Sequence, residues 1–92
     1  MANSILQTEK ECFVCRTTQD LQDHHIFFGT ANRKQSEKYG LKVWLCMRHH
    51  TGDRGVHFDK GLDRKLKEMA QAKFEETHTR EEFIKIFGRN YL

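Results

Sequence analysis

An α+β fold is what the sequence predicts, on three observations. Short β-branched and aromatic segments occupy the first half, a helical apolar period occupies the last third, and two Cys/His pairs with metal-ligand spacing bracket the segments of the first half. At 92 residues, against about 100–200 per domain, the chain makes one domain with only a small core. Six glycines and no proline punctuate it.

The first nine residues lack a period and are expected to fray, a flexible N-terminus over 1–9. Glu-Cys-Phe-Val-Cys-Arg at 11–16 reads as a short strand or knuckle carrying two thiols on a tight turn. Residues 23–28, Asp-His-His-Ile-Phe-Phe, form an extended piece ending at Gly29, and 30–40 read as a polar loop with one helical turn before Gly40. Leu41 to Cys46 is aromatic and β-branched enough for a second strand, with Trp44 in the core. Met47 to His50 makes a helical turn, and residues 51–55 break it. Leu62, Leu66, Met69, Ala70 and Phe74 then lie at i, i+4, i+7, i+8 and i+12, the stripe of an amphipathic helix with an Asp63–Lys67 pair on its wet side. A last helix starts at Thr79, spaced from Glu82 as in a capping box, buries Phe83, Ile84 and Phe87, and stops at Gly88. His78, just before that cap, reads as an exposed turn residue. The core thus spans 10–58, and 59–92 form a C-terminal helical extension of the same domain.

Composition excludes several classes. Hydrophobic residues make up 37% and charged residues 32%, and no apolar run approaches the roughly 18 residues of a membrane span, so a soluble chain with no membrane partner is expected. The opening residues show no basic start followed by an apolar stretch, which makes a cytoplasmic, reducing location the expectation. Disulfides are disfavoured there, and three cysteines cannot all pair, so metal is the better use for them.

The thiols support that reading by their spacing. Cys12-x2-Cys15 and Cys46-x2-His49 are separated by thirty residues, and each pair can direct two ligands at one tetrahedral ion. A structural Zn²⁺ on Cys12, Cys15, Cys46 and His49 would tie the knuckle to the turn after the second strand and stabilise a chain short of core. A closed four-ligand shell leaves no position for water, so catalysis is not expected there. The other histidines suit an open site. His24 and His25, adjacent on a strand, point to opposite faces, so one can hold a metal while the other faces substrate or a water. His50 follows a zinc ligand directly, and His57 lies just past a glycine loop. Neutral imidazoles suit a divalent transition metal with positions left for water and phosphate oxygen.

The order C-x2-C, Asp-His-His-Ile, and a strand ending Leu-Cys-x2-His-His resembles the HNH endonuclease superfamily over about residues 11–58. It is similar above all to small phage-type members with Leu-Cys-x2-His-His. The resemblance implies a zinc-stapled ββα-metal core, also called a His-Me finger or treble clef. It implies His25 as general base, His24 and His50 as ligands of a catalytic divalent ion (Mg²⁺, Mn²⁺, Ni²⁺ or Zn²⁺), and His57 as a third ligand of less standard spacing. One position departs from the family. The central Asn that orients the base is replaced by Leu41, with Lys42 beside it, leaving Asn32 or a backbone carbonyl to hold His25.

Charge adds a partner. Residues 31–56 carry six basic and two acidic side chains, whereas the whole chain is only +3. Arg33, Lys34, Lys38, Lys42, Arg48 and Arg54 therefore surround the motif, where contacts to phosphate would supply non-specific affinity for DNA. The expected function is metal-dependent nicking or double-strand cleavage of DNA, with weak sequence specificity. The alternative is a catalytically silent zinc module binding nucleic acid or protein. Double-strand cleavage would need a homodimer or repositioning, and the last helices could dock on a phage packaging or recombination protein.

Overall fold

Two antiparallel strands, β1 (Leu21–His25) and β2 (Lys42–Cys46), form the sheet of the computed structural model, which describes residues 4–52 and 55–92. Helix α1 (Thr30–Tyr39) connects them, and α2 (Met47–His50), α3 (Lys60–Phe74) and α4 (Arg80–Phe87) follow in chain order. The register sets Leu21 opposite Cys46, His24 opposite Val43 and His25 opposite Lys42. Because side chains alternate along a strand, Gln22 and His24 share one face while Asp23, His25 and Lys42 share the other. Two chemically different faces result. None of the described helices is long and apolar enough to cross a membrane.

The knuckle is a turn and not a strand. Cys12 N–H donates to Thr17 O at 2.8 Å, Arg16 N–H returns to Cys12 O at 2.8 Å, and Arg16 takes a left-handed φ of 64°. Phe13 N–H donates to Trp44 O at 2.8 Å, which docks the turn on β2. Residues 4–7 do not hang free as the sequence suggested. Ile5 N–H reaches Gly40 O at 2.9 Å, and Gln7 Oε1 accepts from Trp44 N–H at 2.8 Å, so this segment covers an edge of β2 that would otherwise expose its backbone.

The largest correction concerns residues 30–40, expected as a loop with one turn and found as the ten-residue helix α1. Its sequence, Thr-Ala-Asn-Arg-Lys-Gln-Ser-Glu-Lys-Tyr, is made of adequate helix formers without an apolar stripe, so no hydrophobic period announces it. A polar contact docks it. Buried Ser36 donates its hydroxyl to Phe27 O at 2.8 Å and accepts from Phe27 N–H at 3.2 Å. Gly40, at a left-handed φ of 70°, closes the helix and turns the chain into β2.

Helices α3 and α4 follow the sequence reading more closely. Asp59 caps α3 by accepting from Leu62 N–H at 3.0 Å, Leu66, Ala70 and Phe74 are buried, and Lys67 pairs with Asp63 at 2.8 Å. Thr79 and Glu82 form the expected capping box. Two stripe residues are corrected: Met69 and Ile84 are 38% and 39% exposed, because each lies at the margin of its apolar face. The core between helices and sheet is aromatic. The Phe27 ring lies 4.6 Å from Phe87, 5.3 Å from Phe83 and 5.4 Å from Tyr91, and Phe74 packs on Phe83 at 5.5 Å. Burying each Phe stabilises the fold by about 1.5–3 kcal/mol, which is why so small a chain concentrates its core in these rings. His78 is not simply exposed: it is partly buried and stacks on Phe74 at 4.3 Å. Trp44 is only half-buried, with Lys10 Nζ 4.9 Å from its ring.

Candidate metal centre and active-site groove

Cys12 and Cys15 reach the centre from the knuckle, Cys46 ends β2, and His49 sits on α2 one turn later. Their ligand atoms lie within 4.8 Å of one another. Cys15 Sγ and Cys46 Sγ are 3.8 Å apart, and His49 Nδ1 is 3.3 Å from Cys46 Sγ and 3.7 Å from Cys12 Sγ. A tetrahedral ion with sulfur bonds near 2.3 Å and a nitrogen bond near 2.0 Å requires about 3.8 Å between sulfurs and about 3.5 Å between sulfur and nitrogen. The four side chains fit that demand and can hold a metal ion, in keeping with tetrahedral zinc. Burial alone would push the Cys12 thiol up, but backbone N–H groups of Cys15, Cys46 and Val14 bring it down to about 6. Burial and the neighbouring thiols raise Cys46. Without a cation, three thiolates would repel one another here, so the chemistry of the donor set asks for one.

A second cluster takes the next residue of α2, His50. His24, His50 and His57 bring one ring nitrogen each to within 4.8 Å of the others, with ring centroids 5.1 Å apart for His24–His50 and 5.0 Å for His50–His57. His24 is 3% exposed, and its Nε2 has no hydrogen-bond partner among the described residues. Leaving such an atom unpaired costs about 1–3 kcal/mol, so a ligand at that nitrogen is the economical explanation. Burial, then the nearby His50 and His57, hold His24 down to about 3, and burial followed by His57 lowers His50. Both are neutral near pH 7, the form that binds metal.

Two groups position this cluster that sequence reasoning did not single out. His50 Nδ1 is hydrogen-bonded to Gln22 Oε1, which fixes the imidazole so that its other nitrogen carries the free lone pair. Gly55 lets the following loop close on α2: a Cβ there would sit 2.6 Å from the His50 carbonyl carbon. Val56 N–H then donates to His49 O at 3.0 Å, and His57 follows it into the cluster.

His25 faces the other side of β1, as its register requires, and lines an open groove of about 790 Å³ with Phe28, Arg33, Lys34 and Glu37. Its Nε2 is 3.1 Å from Glu37 Oε1. Glu37, and not Asn32 or a backbone carbonyl, is therefore the partner of this imidazole. A helical reading of 30–39 would have been the signal for it, because α1 is what carries Glu37 back over the strand. Phe28 connects the two regions, its ring 6.0 Å from that of His57.

The basic residues separate into distinct settings. Arg33 and Lys34 are exposed in the groove, and Lys38 and Arg48 are exposed on α1 and α2. Lys42 is corrected: it is 7% exposed and bound to carboxylates, 2.9 Å from Glu37 Oε2 and 3.4 Å from Asp23 Oδ2, so it does not face phosphate. Arg54 lies outside the described residues. Asp23, His25 and Glu37 also bring ligand atoms within 4.8 Å of one another, but the Lys42 ammonium already bonds both carboxylates of that group. Comparisons with protein-family models, with curated proteins and with solved structures gave no match.

Proposed function

We propose that the protein is a metal-dependent endonuclease of the HNH type, hydrolysing phosphodiester bonds in DNA with His25 as general base. One observation carries the reading. Three imidazoles converge on a point where the buried Nε2 of His24 has no partner, while the adjacent His25 lines a groove flanked by Arg33 and Lys34. The Cys12, Cys15, Cys46 and His49 cluster is read as the structural zinc site.

His24, His50 and His57 would hold the catalytic divalent ion, which supplies electrostatic stabilisation of the phosphate and the leaving 3′ oxygen. The work of the chain's own residues follows from their surroundings. Glu37 accepts from His25 Nε2–H, so Nδ1 is the basic nitrogen and takes the proton of the attacking water. Arg33 and Lys34 attract the backbone to the groove, and the exposed Lys38 and Arg48 extend the positive surface. Contacts of this kind fall on the phosphate backbone, which carries no sequence information directly, so weak sequence preference is expected. One such site cuts one strand, so double-strand cleavage needs a second copy or repositioning.

The test is incubation of the purified protein with supercoiled plasmid and Mg²⁺, Mn²⁺, Ni²⁺ or Zn²⁺, beside His25→Ala and a chelator control. Metal-dependent nicking that drops roughly 100-fold or more in His25→Ala is expected. Equal cleavage by His25→Ala would remove the base assignment. Leu41, fully buried where the family has its orienting Asn, is the observation favouring a silent zinc module. Absence of cleavage with every metal, together with DNA binding, would decide for that reading.

A further inference from the structure

We infer that Glu37, clamped by Lys42, is the positioning residue that fixes the ring of His25 and takes over the task of the absent asparagine. The inference rests on the nuclease reading above and deepens it. The register is the first support: Lys42 stands directly across the sheet from His25, one residue after Leu41. From there its buried ammonium reaches both oxygens of Glu37, at 3.0 and 2.9 Å, and Asp23 Oδ2 at 3.4 Å. Three bonds satisfy the three donors of an ammonium, so Lys42 has none left for a substrate.

The consequence for Glu37 is chemical as well as geometric. A carboxylate held by a cation at both oxygens stays ionised and is an acceptor only, so the imidazole nitrogen 3.1 Å away must present a proton to it. Nε2–H is therefore the proton His25 presents to Glu37, and in the neutral ring Nδ1 carries the free lone pair. An amide or carbonyl in the family's usual arrangement would give the same result by the same logic. Here the acceptor comes from α1, and its charge is balanced by Lys42 on β2, whose ammonium Asp23 on β1 also holds in place. A purely structural ion pair tying α1 to the sheet would need the Lys42–Glu37 contact but not the His25 one, and that difference is testable.

Two measurements decide it. In ¹⁵N-labelled, zinc-loaded protein, the His25 Nε2–H proton should give a protected imidazole signal in wild type and Lys42→Arg. It should be lost in Glu37→Leu and weakened in Lys42→Met. On plasmid, Glu37→Leu should lower kcat roughly 10-fold or more with KM within about 2-fold, the split expected of a group acting through the base. Should Lys42→Met not fold, Glu37→Leu alone decides. Persistence of the Nε2–H signal in Glu37→Leu, or a wild-type ring protonated at Nδ1, would overturn the inference. A wild-type protein that shows the signal and cuts nothing overturns the nuclease reading alone; a wild type that cuts, with kcat and signal unchanged in Glu37→Leu, overturns the positioning role alone.

Discussion

His49 and His50 are consecutive on α2 yet belong to different clusters. His49 Nδ1 lies 3.3 Å from Cys46 Sγ, whereas the His50 ring meets His24 edge-on at 5.1 Å and is tied through Nδ1 to Gln22. A helix of four residues cannot hold itself in water, so the direction of His50 rests on contacts beyond α2: the cluster that holds Cys46 and His49, and the Gln22 side chain. The cysteine centre is then the foundation of the histidine centre.

That dependence predicts an asymmetry on metal removal. Cys12→Ser, or stripping the cysteine site with a chelator, should weaken binding of Ni²⁺ or Co²⁺ at the histidine cluster by roughly 10-fold or more, because His50 loses its fixed direction. His57→Ala should leave the cysteine site loaded. Metal content and cobalt absorption, which distinguishes thiolate from imidazole coordination, read the two sites separately. Full histidine-site affinity in a Cys12→Ser protein would show that the two centres are independent.

Gln22 is the second test of this orientation. It shares a face of β1 with His24 and accepts from the ring of His50, so Gln22→Ala removes the hydrogen bond without touching a ligand. The expected loss is about 10–100-fold in affinity at the histidine cluster, the usual cost of deleting an outer-shell partner. Isothermal titration with Ni²⁺ measures it, and an unchanged affinity would mean that the anchoring of α2 through Cys46 and His49 orients His50 without Gln22.

Glu37 makes acid stability a readout of its own contacts. Its hydrogen bonds with Lys42, then with His25, hold the carboxyl at about 2 in place of the ordinary 4.5. The folded-state value is depressed, so the unfolded chain takes up the proton first as pH falls. The stabilisation is therefore complete above about pH 4.5 and disappears progressively towards pH 2. In urea titrations, wild type should exceed Glu37→Gln in stability near pH 6, with the gap closing as pH approaches 2. The cysteines and the histidines that do not touch Glu37 are common to both proteins and cancel in the difference, which leaves the group formed by Glu37, Lys42 and His25. A gap independent of pH would assign the effect of the substitution to packing.

The unequal legibility of these features has a physical cause. The Cys/His cluster declares itself because residue identity and spacing are local: Cys12-x2-Cys15 and Cys46-x2-His49 can be paired with no knowledge of the fold, and their thiols and imidazole do converge. The aromatic stripes of α3 and α4 are legible for a similar reason, since a 3.6-residue period survives in the sequence, although it placed Ile84 inside when it lies at the exposed margin. Helix α1 carries no such period. It docks through the Ser36 hydroxyl on Phe27 and contributes Glu37, so the partner of His25 depended on recognising a helix that has almost no apolar side. Lys42 counted as one more positive charge until the register set it across from His25. Its burial is a tertiary fact, and the same lysine in a looser sheet would face solvent.

Gly55 provides the most local of the predictions. The chain after α2 must fold back so that Val56 can donate to His49 O and His57 can join His24 and His50, and it does so with Gly55 against the His50 carbonyl. An alanine methyl would meet that carbonyl carbon at 2.6 Å, and the contact is with backbone, which cannot rotate away as a side chain would. Either α2 moves or the loop opens. Gly55→Ala should therefore destabilise the protein by about 1–3 kcal/mol in thermal or urea unfolding, the range for forced overpacking. It should also weaken metal binding at the histidine cluster while the cysteine site, whose ligands lie at or before residue 49, stays loaded. Unaltered stability together with unaltered Ni²⁺ affinity would mean that the loop reaches the cluster without this close approach, and His57 would then have to be placed by Phe28 and its ring contact at 6.0 Å.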